Sequence, residues 1–170
     1  ARPGGVRVRP GAGPRREPCR DRSGHVRHQE AALSTDKAQS WADSEDFRTE
    51  DDVLLSARER AAQLGCTAVT PGVGAVLSVL AAAVRAHAVV EIGTGAGVSG
   101  LYLLRGMPPE AVLTTIVWSA EHQPAAREAF AAEAVKPTRT RLIARPALDV
   151  LPRLTDGAHD LRSADAHPKA

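Results

Sequence analysis

Between Thr49 and Leu154 the spacing of apolar residues changes period several times. In TEDDVLLSARERAAQLG, Leu54, Ala57, Ala61 and Leu64 recur at three- and four-residue steps, which puts them on one face of a helix. That helix is predicted to open with a capping box made by Thr49 and Asp52, to keep its acids in the first turn, and to stop at Gly65. TPGVGAVLSVLAAAVRA predicts a second helix, with Thr70 as cap and Pro71 at the first helical position. The period then shortens. Residues 88–92 (AVVEI), 112–117 (VLTTIV) and 140–144 (TRLIA) are short β-branched runs that predict strands. A helix through about Arg105 follows the first strand, and AEHQPAAREAFAAEAV predicts another after the second, with Pro124 in its first turn. PALDVLPRL predicts a short helix after the third.

Strands alternating with helices at this spacing imply right-handed βαβ crossovers and a parallel sheet covered on both faces. A fourth strand should follow DGAHDL. Arg162 and Ser163 stand there, where a buried parallel strand favours Val, Ile or Phe. The expectation is therefore an α/β fold of about three strands plus a degraded fourth.

Composition divides the chain. Residues 1–30 hold eight Arg against Glu17, Asp21 and Glu30, a balance of +5 within a total of +2, so the rest is slightly acidic. This segment is rich in Pro, Gly and Arg and has no hydrophobic period, so residues 1–48 read as a disordered basic leader and 49–170 as the folded domain. No aromatic interleaves the arginines to stack on bases, which argues against nucleic acid. Aromatics are 3% of the chain, so Ala, Val and Leu must build the core. Cys19 and Cys66 make no metal or redox motif and suit a reducing compartment, read as the cytoplasm. No run approaches the length of a membrane span. His87, His122 and His159 read as a loop residue, a helix-start residue and a strand-entry residue, and none belongs to a metal spacing such as HExxH.

The segment VVEIGTGAGVSG (89–100) sets four glycines behind an apolar run that one carboxylate interrupts. Two frames fit. Gly95, Gly97 and Gly100 spell the GxGxxG of dinucleotide sites, whereas Gly93, Gly95 and Gly97 follow the strand directly, with Glu91 just upstream. A carboxylate beside the helix N-terminus would repel a pyrophosphate and would suit a cationic ligand with amine and hydroxyl donors. The GxGxxG frame also begins two residues past the strand end, so the Glu91–Gly97 frame is the better reading.

With AVTPGVGAVLSVL before it and VLTTI…EHQPAAREAF…TRLI after it, AVVEIGTGAGVSGLYLL resembles the small class I S-adenosylmethionine-dependent O-methyltransferases. This is the catechol and caffeoyl-CoA methyltransferase family, here in its actinobacterial branch. The resemblance runs from about Glu50 to Leu161 and resumes weakly at Asp165. It implies a Rossmann-like fold that transfers a methyl group from S-adenosylmethionine to the hydroxyl of a small molecule, with Mg²⁺ in the metal-dependent members. It admits a homodimer and implies no nucleic-acid or membrane partner. By the same resemblance Glu91 orients the cofactor's methionine end. Gly93, Thr94 and Gly95 form the turn, Ser99 makes a polar contact at the next helix, Val69 lines the site through its backbone, and Ala147 flanks the adenine. Asp165 matches the aspartate that serves catalysis and binds the divalent ion.

Two positions depart from the family's pattern. The acid that accepts the ribose hydroxyls at the second strand's tip is replaced by Val117, with Glu121 four positions on. At the fourth strand RSADAHPKA stands for a pattern like VF-x-DAD, with His167 where a second acid is expected. In the family's strand order a missing fourth strand would leave 88–92 as an apolar edge, which predicts self-association and impaired activity in a truncated domain. A non-catalytic, pseudogene-like fragment with a cofactor half-site is the alternative. A nicotinamide oxidoreductase is a third reading, and Val117 weakens it by removing the acid it also needs.

Overall fold

The computed structural model describes residues 49–154 and 157–164, together with Lys37, Gln39, Ser40 and Ala42. The chain divides into two units, residues 1–40 and 41–170, and the elements below belong to the second. Most of the expected leader lies outside the described residues; the four described within it are helical and exposed.

Helix α1 spans Asp52–Gln63 and buries Leu54, Ala57 and Ala61, while Leu64 stays outside. Its cap differs from the sequence expectation. Asp51, not Thr49, adopts the extended cap conformation and accepts the Leu54 amide at 3.0 Å. The preceding residue explains the shift. Glu50 is held by a forked ion pair from Arg58 and by the Tyr102 hydroxyl at 2.6 Å, which fixes the chain just before Asp51. Helix α2, Pro71–Ala83, begins as expected, with Thr70 Oγ1 accepting from the Val73 amide at 3.4 Å.

Strand β1 (Ala88–Ile92), helix α3 (Val98–Gly106), strand β2 (Val112–Val117), helix α4 (His122–Ala132) and strand β3 (Thr140–Ala144) follow in the predicted order. Pro124 is the third residue of α4, inside its first turn. A short helix α5, Ala147–Val150, runs into a 3₁₀ turn at Leu151–Arg153, and strand β4 is Leu161–Ala164. Two glycines allow α2 and α3 to meet closely. A Cβ at Gly74 would enter the Tyr102 ring, and one at Gly106 would fall on the Ser78 carbonyl.

The four strands are parallel and ordered β3-β2-β1-β4. This overturns the expectation that β1 is an edge. Val89 pairs with Leu161 and Ile92 with Ala164, so β1 is central and β4, like β3, is an edge of the described sheet. The physical reason is that an edge strand need not be apolar on both sides. Leu161 and Ser163 are half-buried while Arg162 and Ala164 face solvent, an alternation that one-sided pairing tolerates. Asp160 secures the start of this pairing, its carboxylate accepting the amides of His87 at 2.8 Å and Ala88 at 3.0 Å.

The two sheet faces differ. Val89 and Leu113 pack with Leu101, Leu104, Ala126, Ala129 and Phe130 of α3 and α4 in the main core. On the other face Val90, Ile116 and Val150 form a smaller cluster with Ile92, Ile143, Ala147 and Leu154. Because strand order reverses beside β1, the carboxyl end of β1 is the switch point at which open α/β sheets bind ligands.

Candidate functional site

At that point β1 ends in Ile92 and the chain turns through Gly93–Gly97 into α3. Gly93, Gly95 and Gly97 have φ of 102°, 50° and 93°, in the left-handed region that side chains resist. The turn is tied to β2 by the Gly93 amide, which donates to the Ile116 carbonyl at 2.9 Å. Gly100 is different. It lies inside α3, where a Cβ would come within 2.8 Å of Phe130 Cζ and 3.4 Å of Glu91 Oε2. The glycines of the Glu91 frame thus shape the turn, and the last glycine of the other frame makes room for packing.

A cleft opens over this turn. Val69, Gly93, Thr94, Gly95 and Ser99 line it, with Ala61, Cys66, Thr67, Ala68, Ala96 and Val98. Five of the expected site residues therefore share one cleft. Glu91 lies beside it at 1% exposure, in the β1 position facing α3, and accepts the Thr115 hydroxyl on Oε2 at 2.5 Å. Thr115 Oγ1 lies 2.5 Å from Thr94 Oγ1 in turn. The amides of Val98, Ser99 and Gly100 precede the first intrahelical bond of α3, Leu101 to the Gly97 carbonyl, so this end of the helix carries positive potential.

Ala147 is not brought to this cleft; it opens α5 and packs in the cluster on the opposite face of the sheet. Asp165 lies outside the described residues, as does His167. Val117 is buried at the tip of β2, its carbonyl accepting the Arg145 amide at 3.1 Å, while Glu121 is exposed at the start of α4 and does not line the cleft. Cys66, read from the sequence as part of no metal or redox motif, lines the cleft and has its sulfur 3.5 Å from His122 Nε2. Thr115 was not singled out in the sequence. Its signal is a hydroxyl residue in an apolar strand directly opposite the strand carrying Glu91.

The O-methyltransferase family model matches residues 44–169. The chain belongs to the O-methyltransferase family. A relative in Mycobacteroides abscessus, itself named as an O-methyltransferase, is 55% identical over 120 residues, covering 71% of this chain and 56% of the relative. Among solved structures, the O-methyltransferase TomG of Streptomyces achromogenes, involved in tomaymycin synthesis and solved with S-adenosylmethionine, is similar with a TM-score of 0.65 and 29% identity. That similarity covers 83% of this chain and 63% of TomG. An O-methyltransferase of Bacillus cereus, in complex with S-adenosylhomocysteine, is similar with a TM-score of 0.66 and 25% identity, covering 76% of this chain and 60% of that one. The fold is the Rossmann-like fold of S-adenosylmethionine methyltransferases. The chain spans 56% of the length of the Mycobacteroides abscessus relative. Among its described residues no helix is long and apolar enough to cross a membrane.

Proposed function

We propose that the cleft at the carboxyl end of β1 holds the methionine end of S-adenosylmethionine, and that the domain serves methyl transfer to the hydroxyl of a small molecule. The observation that carries this reading is a pairing of opposite polarities around one turn. Buried acceptors, Glu91 and the threonines bonded to it, lie beside the amide-rich start of α3. An α-amino acid group carries an ammonium for the first and a carboxylate for the second. A dinucleotide offers a pyrophosphate, which Glu91 would repel.

In this reading Glu91 sets the orientation of the ammonium, and the Val98 and Ser99 amides meet the carboxylate. Gly93 and Gly95 let the backbone come close without a Cβ. When bound, S-adenosylmethionine would supply a methyl group on a sulfonium for transfer to a hydroxyl oxygen, the C–S bond breaking as the C–O bond forms and the hydroxyl proton leaving to solvent or a base. What the protein contributes is position, since holding both reactants in line removes much of the entropic barrier. Among the described residues no group of three or more His, Cys, Asp or Glu side chains could hold a metal ion, and Asp165 lies outside them.

A second reading, a cofactor half-site without catalysis, is favoured by Val117, which offers the ribose no acceptor at the strand tip. Calorimetry on this chain with S-adenosylhomocysteine and with NADH tests both. Binding of the first that Glu91→Ala abolishes, with the fold retained, supports the cleft assignment; binding of NADH instead overturns it. Methyl transfer to catechol-type hydroxyls then separates enzyme from half-site.

A further inference from the structure

Fully buried polar side chains meet at one place on the main sheet face. Thr115, at 0% exposure, stands directly across from Glu91 in the β1–β2 register, and Thr94, at 2%, sits just above the pair at the start of the turn. The three side chains form a line from the interior to the cleft, Glu91 to Thr115 to Thr94, with both oxygen–oxygen separations at 2.5 Å. Hydroxyl groups so placed can each donate one proton only, and a carboxylate can donate none.

With Glu91 taken as the carboxylate, that accounting fixes the direction of each bond in the line. Thr115 donates to Glu91, so its single proton is spent. The contact between the two threonines is then a hydrogen bond only if Thr94 donates and Thr115 accepts. Thr94 has now spent its proton as well. Thr94 lines the cleft, and all its hydroxyl can present there is lone pairs. A threonine at the mouth of a ligand site would otherwise adapt to donors and acceptors alike. This one cannot.

We infer that Thr115 is a positioning residue that passes the polarity of Glu91 to the cleft and makes the Thr94 hydroxyl an acceptor only, so that the site selects a ligand bearing an N–H donor there, such as a primary ammonium. The inference rests on the cleft assignment proposed above and adds to it a residue with no contact to ligand. A carboxylate or carbonyl oxygen at the same spot would face lone pairs on Thr94 and be rejected. Buried polar lines of this kind hold one arrangement because an unmade bond in an apolar surround is costly.

The test compares S-adenosylhomocysteine with its des-amino analogue, in which hydrogen replaces the α-amino group, by calorimetry on the chain and its variants. The unmodified chain is expected to prefer S-adenosylhomocysteine by about tenfold or more, the scale of one charge-assisted hydrogen bond. Thr115→Val, which keeps the shape and frees the Thr94 proton, should lower that ratio by about fivefold or more, Glu91 still favouring the ammonium. Thr115→Ser, which keeps the hydroxyl, should restore it to within about threefold of the starting value, a factor well below one hydrogen bond. A general loss of fit would weaken both ligands together and leave the ratio alone, so an unchanged ratio in Thr115→Val overturns the inference while the cleft assignment stands. If Thr115→Val does not fold, Thr94→Val takes its place. It leaves the Thr115–Glu91 bond intact and must lower the ratio by a similar factor, and a ratio that does not move again counts against the inference. Absence of binding of either ligand to the unmodified chain overturns the cleft assignment and the inference with it.

Discussion

Tyr102 donates its phenol proton to Glu50 at 2.6 Å, joining the middle of α3 to the residue just before the Asp51 cap of α1. The ring that carries this hydroxyl lies against Gly74 of α2, so one side chain holds three helices in register. Arg58 completes the contact from α1, its guanidinium forked onto the same carboxylate. Helix α3 begins at the glycine turn, and its placement is therefore set in part by residues well away from the cleft.

Replacing Tyr102 with Phe removes one hydrogen bond to a charged, mostly buried acceptor while keeping the ring. The expected loss is about 1.5 kcal/mol of unfolding free energy, read from a denaturant titration at neutral pH. An unchanged midpoint would mean that apolar contacts alone seat α1 on α3.

The same cluster sets the pH range of stability. Burial acts to raise the Glu50 carboxyl, but hydrogen bonds from Arg58 and Tyr102 outweigh it and the net displacement is downward. Asp51 is also held low, first by the Leu54 amide it caps. Both carboxylates therefore contribute stability that is present above the ordinary carboxylate range and is lost as the pH falls through their lowered values. Tyr102 is pushed up to about 12 by burial and by the Glu50 carboxylate. The unfolded chain gives up that proton near pH 10 and the folded one keeps it, so stability declines from there as the pH rises towards 12. Thermal melts across pH should show a plateau with both limbs, and Tyr102→Phe should flatten the alkaline one.

Val117→Asp places a carboxylate at the tip of β2, where a ribose diol would need one. Affinity for S-adenosylhomocysteine is expected to rise by about tenfold, equivalent to one hydrogen bond to a charged acceptor. Calorimetry reads this directly. No gain, or a loss, would place the ribose against Glu121 or a backbone group and move the strand's alignment.

Asp160→Ala should loosen the edge of the sheet selectively. Its carboxylate is the acceptor for two amides at the entry to β1, and its own amide donates to the Ala88 carbonyl at 2.9 Å. Hydrogen exchange should quicken at Leu161–Ala164 and at the β1 amides facing them, with β2 and β3 unaffected. Uniform quickening across all four strands would show instead that β4 unfolds only with the whole domain.

Much of this architecture was legible because its signals are local. The runs 88–92, 112–117 and 140–144 are short, β-branched and bounded by turn residues, and each became the strand it predicts. Thr70-Pro71 gave the start of α2 for the same reason. What was hidden depends on partners distant in sequence. The cap of α1 moved to Asp51 because Tyr102 and Arg58 hold Glu50, and nothing in TEDD announces that. Leu161–Ala164 was discounted by a rule for interior strands, although it occupies an edge. At the cleft the glycine turn and Glu91 were readable from their spacing. Thr115 was not, since a threonine in a strand is ordinary until the register sets it against a buried carboxylate.

Helix α2 carries no acidic residue in its first turn and no basic one in its last, and Val73, Val76, Val79 and Leu80 stand 44%, 56%, 61% and 45% exposed along it. Water along that helix meets hydrocarbon with no charge to keep neighbouring molecules apart. The chain's tendency to associate is accordingly expected to depend on this strip. Salts that strengthen hydrophobic contact will lengthen its retention on a phenyl resin, and a lysine at Val79 will shorten it.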